Sequence, residues 1–354
     1  MKPKRFWVFA IEFGLDAVYN FAMTLFDRRN FLRYSSLGIF YTLFAGKAEG
    51  ATFFLKRYLS LPPKETPFYT SNSDFYIVNY SRPREIDASG WTLQITGMVK
   101  RPLVLNYNDV LSRPSVERVV TLECIDNEVA GELIGNALWK GVSLRSLLAE
   151  AEPDPGVEDV VMYAADEYSE SITIDRAMNY DVMLAYLMNE EPLPKVHGFP
   201  LRAITPGLYG IKNVKWLTRI ELIDYDYKGY WQQRGWTDSG QIKVTSWIDA
   251  PGRYNTIKGD HHVVRGIAFS GGNGIASVEV STDGGTDWQN AILERPPSLY
   301  CWVPWRYEWK VPGPGSYEIK ARASDRIGRT QSALLVGAFP EGTSGLHSVI
   351  IFVE

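Results

Sequence analysis

The segment from Val119 to Leu148 constrains the fold most, because a strand, a glycine-rich loop and a helix follow one another within it. The apolar run from Val119 to Leu122 predicts a short buried strand. Ser143 is a favourable N-cap residue, so we expect a helix from Leu144 that ends before Pro153. The loop predicted between strand and helix has no helical period and contains Asp126, Asn127, Glu128, Gly131, Gly135 and Asn136.

Cys124 lies where this predicted strand meets the loop, so the strand would hold its thiol and the loop would expose it. A lone cysteine is more often a small buried hydrophobic residue, and this residue alone leaves both interpretations open. The other cysteine, Cys301, lies beside Trp302 and Trp305 and predicts a buried thiol. Two distant cysteines form no disulfide framework, and no CxxC or CxxCH motif offers an iron–sulfur, zinc or covalent haem site.

A second segment, from His197 to Ile220, combines cationic residues with glycine and proline. It reads HGFPLRAITPGLYGIKNVKWLTRI and interleaves a histidine, two arginines and two lysines with apolar residues. Such a rigid surface of loops and strands presents several cationic donors to an anion such as a phosphate.

Together the two segments resemble the molybdenum-cofactor domain of the sulfite oxidase family. The resemblance runs from about Pro67 to the C-terminus. It implies an α+β fold, with a sulfite-oxidase-type molybdopterin-binding domain of mixed β-sheets followed by an immunoglobulin-like β-sandwich. It also implies a molybdenum–molybdopterin cofactor and, because the chain has no haem motif, an external electron carrier.

The resemblance assigns roles residue by residue. Cys124, in TLEC, matches the cysteine whose thiolate ligates molybdenum, which suits a soft metal. His197, Arg202 and Lys215 match positions that hold the pterin and its phosphate, and Asn213 and Val214 contribute through the backbone next to them. The remaining positions matched to cofactor contacts are Asn72, Phe75 and Tyr76, with Asp166 or Tyr168 as candidates for the pocket wall.

The sequence departs from sulfite oxidases at the substrate pocket. Where those enzymes have two arginines and a tyrosine, this chain has Val129 (or Glu128), Ser71 and Trp236. A dianion such as sulfite needs that positive charge, so its loss argues against sulfite as the substrate. Arg234, in YWQQRGW, is the candidate to replace part of the charge, and Trp231 and Trp236 are expected to form walls of the site.

The chain is long enough for two domains at 354 residues, and its 45% hydrophobic and 22% charged residues are ordinary for a globular protein. We expect an N-terminal segment over 1–51, a catalytic domain over 52–251 and a sandwich domain over 252–354. A formal charge of −4 supplies no basic field for nucleic acid. Within the catalytic domain, Asp175 is expected to cap a helix through Met178, Met183 and Leu187.

The sandwich domain is predicted from alternation. Ile319, Ala321 and Ala323 fall on one face of a strand, and charged residues fall on the other. ASVEVSTDGGTDW predicts a hairpin with its turn at 283–285. His261 and His262 are expected in a surface loop rather than at a metal. In the family this domain dimerises, which implies a homodimer.

The first fifty residues resemble a twin-arginine export leader, with DRRNFLR followed by the apolar run from Leu37 to Ala45. The protein is therefore expected in the periplasm or on the outer face of the cytoplasmic membrane. The preceding residues 1–22 predict an amphipathic helix at the membrane surface, and an ordinary helix docked on the fold is the alternative. The start at Met1 or Met23, and whether the leader is removed or retained as an anchor, stay open.

The resemblance implies an oxidoreductase that exchanges two electrons and one oxygen atom with a small-molecule substrate. A cytochrome or a quinone-linked membrane protein would carry the electrons. The alternatives are a reductase acting on an S-oxide or N-oxide, and a non-catalytic protein of the same fold that binds the cofactor or other proteins. An exported binding protein with two β-rich domains does not account for Cys124, HGFPLR and NVKWL together.

Overall fold

The computed structural model describes residues 63–179 and 181–354, so the predicted N-terminal segment over 1–51 and the first residues of the predicted catalytic domain lie outside the described residues. Among the described residues, no helix is both long and apolar enough to cross a membrane. The helices are α1 (Tyr107–Leu111), α2 (Leu144–Ala151) and α3 (Ile174–Ala177). The strands are β1 (Thr92–Gly97), β2 (Leu103–Asn106), β3 (Ser115–Glu123), β4 (Ile134–Ser143), β5 (Asp159–Ala164), β6 (Ser169–Thr173), β7 (Met183–Met188), β8 (Glu191–Pro192), β9 (Arg202–Ile204), β10 (Leu217–Ile223), β11 (Thr245–Ala250), β12 (Thr256–Ile257), β13 (His261–Phe269), β14 (Ile275–Ser281), β15 (Gln289–Asn290), β16 (Ile292–Leu293), β17 (Val303–Lys310), β18 (Gly315–Asp325) and β19 (His347–Val353).

Two sheets form the first domain. One has the order β2-β1-β10-β5-β6, in which β1 and β10 are parallel and the other pairs are antiparallel. The other has the order β3-β4-β7-β8, with β9 paired to β7. The first sheet is therefore mixed, as predicted, whereas all pairs of the second are antiparallel.

The helix predicted after Ser143 is also confirmed. The Ser143 hydroxyl accepts a hydrogen bond from the Ser146 amide at 3.4 Å, which satisfies one of the free N–H groups at the start of α2. Leu144, Leu147 and Leu148 are fully buried in the same core as β1, β5 and β10.

The helix predicted through Met178, Met183 and Leu187 is wrong. Thr173 caps α3, which ends after a single turn, and Met183 and Leu187 lie in β7. This strand lies between β4 on one side and β8 and β9 on the other, and its residues are nearly all buried. A strand buried on both faces shows no alternation of polar and apolar residues, which is why its pattern passed for a helix.

Two other local expectations need correction. Gly135 and Asn136 lie in β4 rather than in the loop after Cys124. Asn136 is tolerated there because its side chain accepts from the Thr121 hydroxyl and donates to the Phe68 carbonyl. His261 and His262 begin β13 instead of lying in a loop.

The second domain is a sandwich of two sheets, as predicted, with the orders β11-β13-β17-β16 and β12-β19-β18-β14-β15. Ile319, Ala321 and Ala323 in β18 are fully buried, and β14 and β15 form the predicted hairpin. Strand β11 pairs with β13 although it precedes residue 252. The limits given above for the domains stay a prediction.

A segment of the second domain, Ser298–Trp302, lies along the free edge of β3. The Thr121 amide donates to the Tyr300 carbonyl, and the Trp302 amide donates to the Thr121 hydroxyl, both at 2.9 Å. The Cys301 thiol is buried, as predicted, and donates to the Val119 carbonyl at 3.2 Å. The strand that leads to Cys124 is therefore held by β4 on one side and by this segment on the other.

Candidate functional site

A cavity opens beside the end of β3. Its empty volume is about 740 Å³, including the part that opens to solvent. The lining residues are Phe75, Tyr76, Val78, Asn79, Tyr80, Leu122, Cys124, Asp166, Tyr168, Arg202, Gly210, Ile211, Asn213, Lys215, Trp216 and Trp231. The structure thus brings residues from both sequence segments, which are about 80 positions apart, to one wall.

Cys124 follows β3 directly and is fixed through its backbone. Its amide donates to the Leu133 carbonyl at 2.9 Å, and its carbonyl accepts from the Asn127 amide at 3.0 Å. The side chain is buried but lines the cavity. Burial raises the pKa of the thiol to about 11. The free thiol is therefore protonated at neutral pH, and a soft metal ion would displace the proton to bind the thiolate.

Arg202, in β9, places a buried guanidinium group on the cavity wall. It donates to the carbonyls of His197 at 3.0 Å and Asn213 at 3.5 Å, and its carbon lies 5.0 Å from the centre of the Trp139 ring. Its Nε atom has no partner, and among the described residues no carboxylate pairs with it. Burial lowers its pKa to about 10. A buried cation without a carboxylate is stabilised when an anion binds beside it.

Lys215 supplies a second cation to the same wall. Its Nζ atom donates to the carbonyls of Val78 at 3.1 Å and Val196 at 3.2 Å. Burial, and next the charge of Arg202, lower its pKa to about 7. The following residue, Trp216, has a φ of +50° and donates to the Lys195 carbonyl at 2.8 Å. A left-handed backbone is strained for a bulky residue. Because Trp216 adopts it, side chains do not alternate regularly from Lys215 into β10.

His197 lies behind the cavity wall and supports it. Its Nε2 atom is 3.1 Å from the Asn72 carbonyl oxygen, so Nε2 carries the proton and donates to it. Its ring packs edge-on against Phe75 at 5.6 Å. Burial lowers the pKa of His197 to about 4, so the imidazole is neutral at pH 7. Asn72 also lies behind the wall and bonds Met188 and Glu191, whereas Phe75 and Tyr76 line the cavity.

Asp166 and Asn213 reach the cavity with their polar groups already occupied. Asp166 accepts from the Ser81 hydroxyl at 3.1 Å and from the Tyr168 amide at 3.3 Å. The Asn213 side chain accepts from the Thr205 amide at 2.7 Å. Val214 lies in the hydrophobic core and does not line the cavity.

Arg234 and Trp236 lie outside the cavity wall. The Arg234 guanidinium carbon is 3.5 Å from the centre of the Tyr230 ring, and one of its nitrogens donates to the Tyr230 carbonyl at 2.8 Å. Trp236 packs edge-on between Trp231 at 6.3 Å and Phe339 at 5.4 Å. Both assignments to the catalytic group stay predictions.

The positions that replace the pocket arginines add no cation to the cavity. Ser71 donates to Asp74 at 2.7 Å. Glu128 and Val129 line a smaller, separate cavity beside Glu123 and Lys243. The cations that line the main cavity are therefore Arg202 and Lys215.

Sequence reasoning missed the cavity wall formed by Val78, Asn79 and Tyr80, and also missed Gly210. A Cβ atom on Gly210 would lie 3.1 Å from the Tyr76 hydroxyl and 3.8 Å from the Cys124 Cα atom. A side chain at this position would crowd the Tyr76 hydroxyl at the cavity wall, which favours glycine. The glycine in LYGIKN could have indicated a close backbone contact at the cavity. Nothing in the sequence of residues 78–80 indicates that they line it.

The residues present fit a molybdenum–pterin group. One thiol faces the cavity beside the buried Arg202 and the half-buried Lys215. Among the described residues neither cation forms an ion pair with a carboxylate, and backbone carbonyls surround both. Among the described residues no group of three or more His, Cys, Asp or Glu side chains is placed to hold a metal. Such a group is not needed for a metal that takes most of its ligands from a cofactor, because a single thiolate then suffices as the ligand from the protein.

Comparison with known proteins agrees with this geometry. A family model described as oxidoreductase molybdopterin binding domain matches residues 79–231, and one described as Mo-co oxidoreductase dimerisation domain matches residues 239–338. The solved structure of the sulfane dehydrogenase SoxCD from Paracoccus pantotrophus has a TM-score of 0.71 and 25% identity, covering 82% of this chain and 84% of that one.

Curated relatives include nitrate reductase [NADH] 1 of Oryza sativa subsp. japonica, 31% identical over 76% of this chain and 36% of that protein. Mitochondrial sulfite oxidase of Homo sapiens is 30% identical over 75% of this chain and 58% of that protein. The chain thus spans between about a third and three fifths of the length of these relatives. With its two matched domains and its cysteine-bearing cavity, it belongs to the sulfite oxidase-like family of molybdopterin-dependent oxidoreductases.

Proposed function

We propose that the protein transfers one oxygen atom and two electrons between a small neutral substrate and an external electron carrier. Molybdenum with its pterin, when bound, supplies the centre that takes up and returns the oxygen atom and the electrons. The observation that carries the proposal is the cavity itself, in which the Cys124 thiol lies beside the buried Arg202 and the half-buried Lys215, neither of which forms an ion pair with a carboxylate among the described residues.

The chain's own residues bind and shield this group. The Cys124 thiolate is the protein ligand of the metal, and the charges of Arg202 and Lys215 bind the pterin phosphate. His197 stays neutral and holds the loop at Asn72 through its Nε2 proton. Phe75 and Tyr76 cover the inner part of the cavity and exclude water, which strengthens the interaction of the two cations with the phosphate.

The charges of the cavity favour a neutral substrate. Sulfite and nitrate, which the names of the relatives contain, are anions. Here Ser71, Val129 and Trp236 contribute no cation, and Arg202 and Lys215 are assigned to the phosphate. An anion would therefore enter without a cation of its own, which costs free energy. Reduction of an S-oxide or N-oxide meets this condition as well as oxidation of a neutral compound does. A non-catalytic protein of the same fold would show no turnover, with or without the cofactor.

The partners and the location belong to the same proposal. The second domain matches a dimerisation family, which supports a homodimer. A separate protein, such as a cytochrome or a quinone-linked membrane protein, would exchange the electrons, because the chain has no haem motif. The leader-like DRRNFLR supports export by the twin-arginine route to the periplasm or the outer face of the membrane.

Elemental analysis of the two single cysteine variants tests the proposal. The wild type, expressed in a molybdenum-replete host, is expected to contain close to one molybdenum per chain and to release pterin on denaturation. Cys124→Ser is expected to fold and to lose the metal and turnover. Cys301→Ser is the matched control, because that thiol is also buried and a serine hydroxyl can keep its hydrogen bond to the Val119 carbonyl. Metal-free wild type, or full turnover in Cys124→Ser, would contradict the proposal.

A further inference from the structure

A buried asparagine, Asn127, connects the two ends of the loop that joins β3 to β4. Its backbone amide donates to the Cys124 carbonyl at 3.0 Å. Its side-chain oxygen accepts from the Leu133 amide at 2.9 Å, and its side-chain nitrogen donates to Oε1 of Glu123 at 3.1 Å. One side chain therefore holds the residue before the cysteine and the last residue of the loop that follows it.

Leu133 links this side chain to the cysteine. The Leu133 carbonyl accepts from the Cys124 amide at 2.9 Å, and the Leu133 amide is the group that Oδ1 of Asn127 binds. These two backbone hydrogen bonds of Cys124 therefore end on Asn127 itself or on the residue that Asn127 holds.

A side-chain amide suits this place, because it offers one acceptor to the Leu133 N–H and one donor to the Glu123 oxygen. The loop passes closely over the amide, since a Cβ atom on Gly131 would lie 2.5 Å from Oδ1 of Asn127. The preceding residue, Ala130, has a φ of +59°. A residue other than glycine keeps such a backbone only where surrounding contacts hold it, so the shape of the loop depends on contacts of this kind.

We propose that Asn127 is the positioning residue of Cys124 and holds the cysteine backbone so that the thiol faces the cavity before the metal binds. This inference rests on the proposed function, in which the Cys124 thiolate is the metal ligand. Asn127 does not line the main cavity, so it acts through the cysteine. Hydrogen bonds that orient a metal ligand typically change metal affinity by about 10–100-fold.

The test exchanges the amide and the carboxylate between two positions. Asn127→Asp keeps the acceptor for Leu133 but places a carboxylate against Glu123, whereas Glu123→Gln keeps the oxygen that Asn127 binds. In the double variant the new amide can donate to the new carboxylate, which restores the hydrogen bond in the reverse direction. Asn127→Ala removes both side-chain bonds. Ser281→Ala is the matched control, because it also removes hydrogen bonds of a buried side chain, but in the second domain.

Two properties are measured for each protein. Hydrogen exchange of the Cys124 amide is followed in the full chain expressed in a host that makes no pterin, so this measurement does not depend on the metal. For protein from a molybdenum-replete host, the molybdenum content is determined after gel filtration. The electron paramagnetic resonance spectrum of the half-reduced molybdenum is recorded as well, because it responds to the orientation of the cysteine ligand.

In Asn127→Ala and Asn127→Asp, the Cys124 amide is expected to exchange at least about tenfold faster, and the molybdenum content to fall about tenfold or more, with an altered spectrum. Glu123→Gln and the double variant should resemble the wild type. Wild-type exchange and spectrum in Asn127→Ala, or equally fast exchange in Ser281→Ala, would overturn this inference and leave the proposed function standing. A folded wild type that takes up no molybdenum would overturn both, because Cys124 would then have no metal to bind.

Discussion

The Nζ atom of Lys212 lies 2.9 Å from Oε1 of Glu170, and both side chains are almost completely buried. The same ammonium group donates to the Ser171 carbonyl at 3.0 Å and to Asp238 at 3.3 Å. Lys212 ends the 3-10 turn Gly210–Lys212, which forms part of the cavity wall. This buried ion pair therefore anchors the turn that passes closest to Cys124.

Removing one partner of this pair is expected to be costly. Lys212→Met should lower the free energy of unfolding by about 3–5 kcal/mol, because it leaves the Glu170 carboxylate buried without its cation. Combining it with Glu170→Gln should cost less than the sum of the two single changes, since no buried charge then remains. Urea unfolding of the four proteins measures this. Arg101→Met, at the separate and exposed pair with Glu152, should cost only about 0–1 kcal/mol. An equal loss of stability in both variants would contradict the importance of the buried pair.

Gly135→Ala is expected to disturb the cofactor cavity from behind. An added Cβ atom would lie 2.7 Å from the Phe75 ring, which lines the cavity. Overpacking of this kind costs about 1–3 kcal/mol, and the displaced ring should lower the pterin content of the purified protein. Gly90→Ala is the control, because nothing lies within 4 Å of its Cβ position. Equal pterin contents in both variants would show that Phe75 can move without affecting the cavity.

The stability of the protein is expected to fall in acid partly through His347. Its Nδ1 atom accepts a hydrogen bond from the Ile248 amide at 2.9 Å. Burial, and next the charges of Arg253 and Lys64, lower its pKa to about 4 from 6.5. Between these values the unfolded state binds the proton and the folded state does not, so this contribution to stability decreases as the pH falls from 6.5 to 4.

His347→Asn keeps an acceptor near Nδ1 and removes the titration. As the pH falls from 6.5 to 4, the wild type should therefore lose up to about 3 kcal/mol of unfolding free energy relative to this variant. Denaturant unfolding at pH 7, 5.5 and 4 measures it. His261→Asn, at an exposed histidine, should show no such change, and parallel pH curves for wild type and His347→Asn would refute the prediction.

Arg202→Met and Lys215→Met should each weaken binding of the pterin. A hydrogen bond to a charged group contributes about 1.5–3 kcal/mol, so retention of the cofactor should fall about tenfold or more for each. The fluorescence of released pterin per chain measures this after gel filtration. Lys310→Met removes an exposed cation of the second domain and should retain the wild-type content. Full pterin in Lys215→Met would remove this residue from the phosphate site.

Much of the fold and of the cavity follows from local sequence patterns. The apolar run before Cys124, the cap at Ser143 and the alternation in β18 each express a local preference that the tertiary structure keeps. Cys124, Arg202 and Lys215 were expected to meet, and they do line one cavity. Their residue types alone left the role of Cys124 open, and the resemblance to the sulfite oxidase family is what indicated a shared site.

The features that were missed depend on contacts between distant residues. Strand β7 is covered on both sides, so Met183 and Leu187 carry no periodic pattern that separates a strand from a helix. Val78 joins the wall because Lys215, more than a hundred residues later, donates to its carbonyl. Val214 was expected to contribute through its backbone, which stays a prediction; its side chain packs into the core while its neighbours Asn213 and Lys215 line the cavity.

The segment Ser298–Trp302 makes the two domains thermodynamically interdependent. Its hydrogen bonds to Val119 and Thr121 hold the same strand that presents Cys124. Coupling between two binding events is reciprocal: if docking of this segment strengthens metal binding, metal binding strengthens the docking by the same free energy. Loading with the cofactor should then protect the amides of Thr121 and Trp302 from hydrogen exchange. The strength of the contact between the sandwich and the first domain would then depend on whether the metal is bound.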